Sequence, residues 1–352
     1  MICLYQQISP PAAVLRVGGH GDKMVRIDSR LVLRLAFPVL AALLVAAPAA
    51  AQQYPSKPVT LVNGTQGTGT EAAARAWMNC AAGEKLAGQP FVLQSKPGAN
   101  GVVAAQFMRQ QPNDGYTLMV SGISNMSIVP FTFKQLPYDP EKEFEGGAMF
   151  GVTYLVLVAN AQSGIKTVKD MADAARANPK GLDIAVPSLA GSGRMLAAAT
   201  VENLKLNAQL VATQGEAGAV TALLGNHMPL SVLILGTVQP HVDAGKMIPL
   251  MVFAEQRLPS LPQAPTVIEA LGDRSMAKNA WIGITAKAGG PPEVVKGIET
   301  WTRACLQSPE FTSVLQAAGF TPRFVPASEY AQKVRSDIVF WRGWIDKLGI
   351  SN

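Results

Sequence analysis

The stretch "NGTQGTGTEAAARAW", residues 63–77, sets three glycines and three threonines between a short apolar run, "VTLV", and an alanine-rich segment that reads as helix. A glycine-rich turn that opens a helix presents unpaired backbone N–H groups at the positive end of the helix dipole, which suits an anion. Two nucleotide chemistries use similar spacing. Gly64 and Gly69 carry the P-loop interval, but Thr70 and Glu71 stand where lysine and a magnesium-binding hydroxyl are required, and Glu71 would repel phosphate. Gly67, Gly69 and Ala72 match the dinucleotide fingerprint, which needs an acid about 20 positions on. The chain there reads "FVLQSKPG", with Gln94, Ser95 and Lys96. Both nucleotide readings are weak.

Other reactive side chains point away from catalysis. Ser188 and Ser192 lie in a second glycine-rich turn, but the residues beside them are Arg194 and Met195, neither a base at neutral pH. No G-x-S-x-G elbow surrounds either serine. His227 and His241 flank the turns "GNHMP" and "QPHVDAG" and read as surface histidines. Cys80 and Cys305 have no C-x-x-C spacing and are not set with the histidines as a zinc site would be. No catalytic residue, metal or cofactor is expected.

The elements that must position these loops alternate. Strands are expected at 59–63, 91–94, 117–121, 154–160, 182–186, 209–212, 230–235 and 248–253, with helical patterns between them. Such alternation points to an α/β fold with parallel sheets covered by helices. Three helices are expected near the end, at 291–306, 309–318 and 327–347, with Thr167 and Ser328 as N-caps of their segments. Hinge strands are expected near 158–161 and 278–282. No tandem repeat or low-complexity linker is present.

The N-terminus reads as a leader. Arg26, Arg30 and Arg34 precede the apolar residues 35–47 and the small-residue site Ala49-Ala50-Ala51, the layout of a cleavable signal peptide. The apolar run is shorter than the roughly 20 residues that span a bilayer. Met24 is the expected start and Gln52 the expected first mature residue. Removing residues 1–51 leaves 25 Lys and Arg against 22 Asp and Glu, so the net charge falls from +6 to about +3. A nucleic-acid partner loses its main support. Two of the three cysteines remain, in an oxidising compartment.

Several motifs in order resemble one family. "YPSKPVTLV", "SKPGANGVVAAQFMRQQPNDGYTLMVSG", "LPYDPEKEF", "PHVDAGKMIPL", "LPSLPQAPTVIEALG" and "AWIGITAKAGGPPEVV" are similar to the substrate-binding proteins of tripartite tricarboxylate transporters, the Bug family, over essentially the whole mature chain. The resemblance implies a two-lobed periplasmic binding protein fold, type II-like, each lobe a sheet flanked by helices. Lobe 1 is expected at 52–157 and 279–352 and lobe 2 at 158–278. It implies capture of a small carboxylate in the cleft between lobes and delivery to membrane permease subunits, by a monomer. Signalling to a two-component sensor is the alternative, with an exported hydrolase behind it.

The family's cleft loops are rewritten here. Residues 67–71 keep the second half of its first loop, while Asn63, Gly64, Thr65 and Gln66 alter the first half. Pro187 and Ser188 alter the loop of the other lobe, Met195 replaces a usual histidine, and Arg194 stands beside it. Thr213, Gln214, Gly215 and Glu216 replace the family's Tyr-Lys-Gly-Gly, and Leu233 and Ile234 its acidic position. The expected ligand contacts are Thr65, Gln66, Gly67, Thr68, Gly69, Thr70, Ser124, Asn125, Ser188, Ser192, Arg194 and Gln214. By the same resemblance Cys80 and Cys305 fall in one lobe, either bridged or as two buried thiols. Trp77 and Trp281 are either structural mass or stacking surfaces for an aromatic ligand.

Overall fold

The computed structural model describes residues 54–66, 68–188 and 191–350. The leader, its cleavage site after Ala51 and the candidate contact Gly67 lie outside those residues.

The first half of the sheet starts from β1 (Val59–Asn63), whose β-branched residues are buried on both faces between parallel neighbours. Helix α1 (Gly69–Ala81) follows, then β2 (Phe91–Ser95), α2 (Val102–Arg109) and β3 (Thr117–Gly122). The long strand β4 (Phe144–Asn160) passes into the second half, built from α3 (Val168–Ala177), β5 (Leu182–Val186), α4 (Ser192–Asn203) and β6 (Ala208–Ala212). There follow α5 (Gly215–Leu224), β7 (Leu230–Ile234), α6 (Leu235–Asp243), β8 (Met247–Val252) and the short α7 (Val267–Leu271). The chain returns through β9 (Asn279–Lys287), α8 (Pro292–Cys305), α9 (Pro309–Ala317), β10 (Thr321–Pro326) and α10 (Ala327–Lys347).

Strand order is β2-β1-β3-β9-β4-β7-β5-β6, with β8 and β10 also paired to β4. Each half contains a parallel ladder, and β4 and β9 run antiparallel between them. β4 pairs with β9 up to Tyr154 and with β7 from Leu155, so its exchange of partners falls between those two residues.

β4 begins ten residues earlier than the expected strand because Gly146, Gly147 and Gly151 break its apolar pattern. The glycines are required by packing: a Cβ on Gly146 would lie 2.0 Å from the Tyr330 ring, and one on Gly147 2.4 Å from Ile298. β10 was not expected. Pro322 and Pro326 mask it, and they are tolerated because β10 pairs only with β4. The Thr167 cap is present, with Asp170 completing the box. The Ser328 cap is not: α10 starts at Ala327 behind Pro326, whose fixed φ suits a helix entry.

Trp77, Phe91, Trp301 and Phe150 fill one core of the first half. Truncating a ring there to alanine costs about 3–5 kcal/mol. The Trp77 indole donates to Thr302 Oγ1 at 2.9 Å, which ties α1 to α8. Cys80 and Cys305, at the ends of the same two helices, form a disulfide with Cα atoms 5.9 Å apart.

Candidate ligand-binding site

A cavity of about 250 Å³ lies where the two halves meet. Its lining gathers the carboxyl ends of four parallel strands and the helix starts that follow them: Asn63 and Thr70 after β1, Gly122 to Asn125 after β3, Pro187 and residues 191–194 after β5, and Ile234 after β7. Strand ends of an open α/β sheet bring backbone N–H groups and helix dipoles to one place, and ligands bind there. The floor is Thr153 and Leu155 of β4 with Ala280, Trp281 and Ile282 of β9.

The two halves touch across the cavity. Asn100 Nδ2 donates to Ser188 Oγ at 3.0 Å. Asn100 holds φ +52°, allowed to asparagine in the turn "PGANG". At a second point Gly236 faces Gly319, where a Cβ on Gly236 would lie 2.4 Å from the Gly319 Cα. Both are glycine because the backbones themselves are in contact.

The two polar walls are built from different kinds of helix start. In the first loop Asn63 Nδ2 donates to the Thr65 carbonyl at 2.6 Å and Thr65 Oγ1 donates to Asn63 Oδ1 at 3.3 Å. Thr68 Oγ1 donates to Thr65 Oγ1 at 3.1 Å and accepts from the Glu71 N–H at 3.3 Å, capping α1. Glu71 pairs with Arg75 at 2.6 Å. In the second half α4 starts at Gly191, which brings no capping side chain, and Ser192, Gly193 and Arg194 line the cavity from its first turn. Burial lowers the Arg194 pKa from its ordinary value, so a nearby anion gains from its charge.

Glu216, in the first turn of α5, lines the same cavity. Burial pushes its carboxyl up to about 7, against hydrogen bonds from the Ile234 backbone and the Thr237 side chain that pull it down. Its Oε2 is shielded and has no hydrogen-bond partner, and the same holds for Thr153 Oγ1 on the floor. Trp281 is 2% exposed and is part of the cavity lining, and its Nε1 donates to Asp337 Oδ2 at 2.9 Å. Asp337 also takes Lys333, whose pKa burial lowers while Asp337 raises it.

Of the expected contacts, Thr65, Thr70, Ser124, Asn125, Ser188, Ser192 and Arg194 line the cavity. Gln66, Thr68, Gly69 and Gln214 lie outside its lining: Thr68 is the helix cap, and Gly69 packs on the Ala318 carbonyl. Asn125 is committed to the fold, its Oδ1 accepting from the Gly122 N–H at 2.8 Å and its Nδ2 donating to the Val120 carbonyl at 3.2 Å. Asn100, Thr153, Glu216 and Phe320 also line the cavity. The signal for Glu216 was in the sequence: it ends the altered run 213–216. Trp281 is both structural and cavity-facing, whereas Trp77 lies only in the core. Ile234 faces the cavity; Leu233 does not and is fully buried. Among the described residues no group of three acids, histidines or cysteines is placed to hold a metal ion, and no helix is long and apolar enough to cross a membrane.

Fold and cavity together define a two-lobed solute-binding protein of the periplasmic type. The chain belongs to the tripartite tricarboxylate transporter receptor family, whose model matches residues 74–350. It is 30% identical over 301 residues to a UPF0065 protein of Bordetella bronchiseptica, covering 85% of each chain. It is 24% identical to protein BugT of Bordetella pertussis, over 87% of this chain and 93% of that one. Among solved structures, a periplasmic transporter superposes with a TM-score of 0.75 at 25% identity. The R. palustris protein Rpa4515, solved with adipate, gives 0.74 at 26% identity; each covers 85% of this chain and 99% of the other.

Proposed function

We propose that this protein is a periplasmic receptor that captures a small organic carboxylate in the cavity between its halves and passes it, chemically unchanged, to the permease subunits of a tripartite transporter. The observation that carries this reading is the convergence of strand ends and helix starts from both halves on one cavity. Backbone donors at a helix start bind a carboxylate without requiring a paired lysine or arginine. The first turn of α4, with Ser192 and Arg194, takes the carboxylate, and Thr65, Thr70, Ser124 and Ser188 complete the polar lining. The apolar side chains of Leu155, Ile234, Trp281 and Phe320 accommodate the body of the ligand. Adipate in the related R. palustris protein supports an aliphatic carboxylate as the class. In this reading residues 52–157 and 279–352 move as one lobe against 158–278, the leader directs export, and the receptor acts as a monomer.

A melting-temperature screen over aliphatic and aromatic carboxylates tests it. A ligand that binds only the folded state adds about 2.7 kcal/mol at a hundredfold excess over Kd. Carboxylates should raise the melt and be recovered intact. Shifts confined to sugars, cations or nucleotides, or turnover of a carboxylate, would overturn the reading.

A further inference from the structure

Glu216 lines the cavity that, in the reading above, takes an anion. Glu216 Oε2 has neither solvent nor a hydrogen-bond partner, and Thr153 Oγ1 lines the same cavity in the same condition. A buried polar atom left without a partner is costly, so Glu216 Oε2 and Thr153 Oγ1, with Ser121 Oγ as a third in the same lining, mark where a ligand's polar groups fit. An ionised Glu216 beside a ligand carboxylate would set two like charges together in a water-poor site. A protonated Glu216 turns that repulsion into an O–H donor.

We propose that Glu216 meets the ligand as a neutral carboxylic acid whose Oε2–H donates to an oxygen of the bound carboxylate, with the Thr153 hydroxyl as a second donor, so that capture above neutral pH takes up one proton from solvent. This rests on the carboxylate reading of the same cavity.

The surroundings agree. Arg194 is the other charged residue of the lining, and it is not among the groups that shift Glu216. Nor are the titratable groups on the elements beside α5: Glu145 and Tyr154 on β4, Asp183 on β5, and His241 and Asp243 on α6. The carboxyl is governed by burial and by the start of α6, and a burial-dominated carboxyl is pushed into the neutral range. An incoming anion pushes it further in the same direction.

Calorimetry with adipate as probe, backed by the other carboxylates of the screen, tests this in two buffers of different ionisation enthalpy between about pH 6.5 and 8.5, where the probe itself stays ionised. Proton uptake should approach one per site at the alkaline end, with affinity falling up to about tenfold per pH unit. Glu216→Gln, which keeps a donor of the same shape, should abolish the uptake and flatten the profile while binding persists at the alkaline end. Glu216→Leu should weaken binding at every pH. Unchanged proton uptake in Glu216→Gln, or no uptake in the parent, overturns the inference and leaves the carboxylate reading intact. Proton release on binding adipate, with affinity rising with pH, likewise overturns the inference. No heat from any carboxylate, in parent or variant, overturns the carboxylate reading itself and the inference with it.

Discussion

The loop after β1 and the walls around α4 and α5 are the two polar faces of one cavity, and they are built in opposite ways. The first is closed on itself: Asn63, Thr65, Thr68 and Glu71 spend their polar atoms on one another and on the cap of α1. Its helix is further tied down by the Trp77–Thr302 hydrogen bond and the Cys80–Cys305 bridge. The second opens on a glycine cap that brings no side chain, carries Arg194 with a pKa lowered by burial, and leaves Glu216 Oε2 without a partner. In a loop that reads in sequence as a binding loop, Thr68 therefore serves as a helix cap, while Thr65 and Thr70 still line the cavity.

The largest effect that would sharpen this contrast is on the scaffold. The bridge spans a sequence separation of 225 residues, and in the chain-entropy model a loop of that size is worth about 5.4 kcal/mol. Replacing both cysteines with serine should lower stability by that order in urea unfolding while leaving carboxylate affinity nearly unchanged. Next comes the binding wall, where Arg194→Ala should weaken a dicarboxylate such as adipate by about 1.5–3 kcal/mol in calorimetry. Unchanged affinity would remove Arg194 from the site.

Glu216 should also mark the second wall without ligand. Between the usual carboxylate range and about 7 the folded protein holds a proton that the unfolded chain releases. Stability therefore falls as pH rises through that window and stays reduced above it. Glu216→Gln should stabilise the protein by on the order of 1–2 kcal/mol near pH 8 and give no gain near pH 4. The smallest effect is expected at the first loop. Thr68→Ala should cost about 1 kcal/mol of stability through the lost cap, with affinity changed less than about threefold.

Much of the fold was legible because its signals are local. β1 and β5 match their expected ranges, and the Thr167 box was readable from its spacing. What was not legible depends on contacts far apart in sequence: the early part of β4, whose glycines answer to Tyr330 and Ile298, and β10, whose prolines are acceptable only beside β4. The site followed the same rule. Arg194, Ser188 and Ser192 stood out because their loop is rich in glycine, and they do line the cavity. Thr153 had no local signal, since its meaning comes from where β4 crosses between halves. Glu216 was visible as a changed residue, but only burial beside the start of α6 gives it a role.

A crystal structure of the protein grown with adipate tests the central claim most directly. One carboxylate should lie against the first turn of α4 within hydrogen-bond reach of Arg194, with the opposite end of the molecule at Glu216 and Thr153. Adipate bound outside this cavity, or held by the loop after β1 alone with α4 and Glu216 untouched, would contradict it.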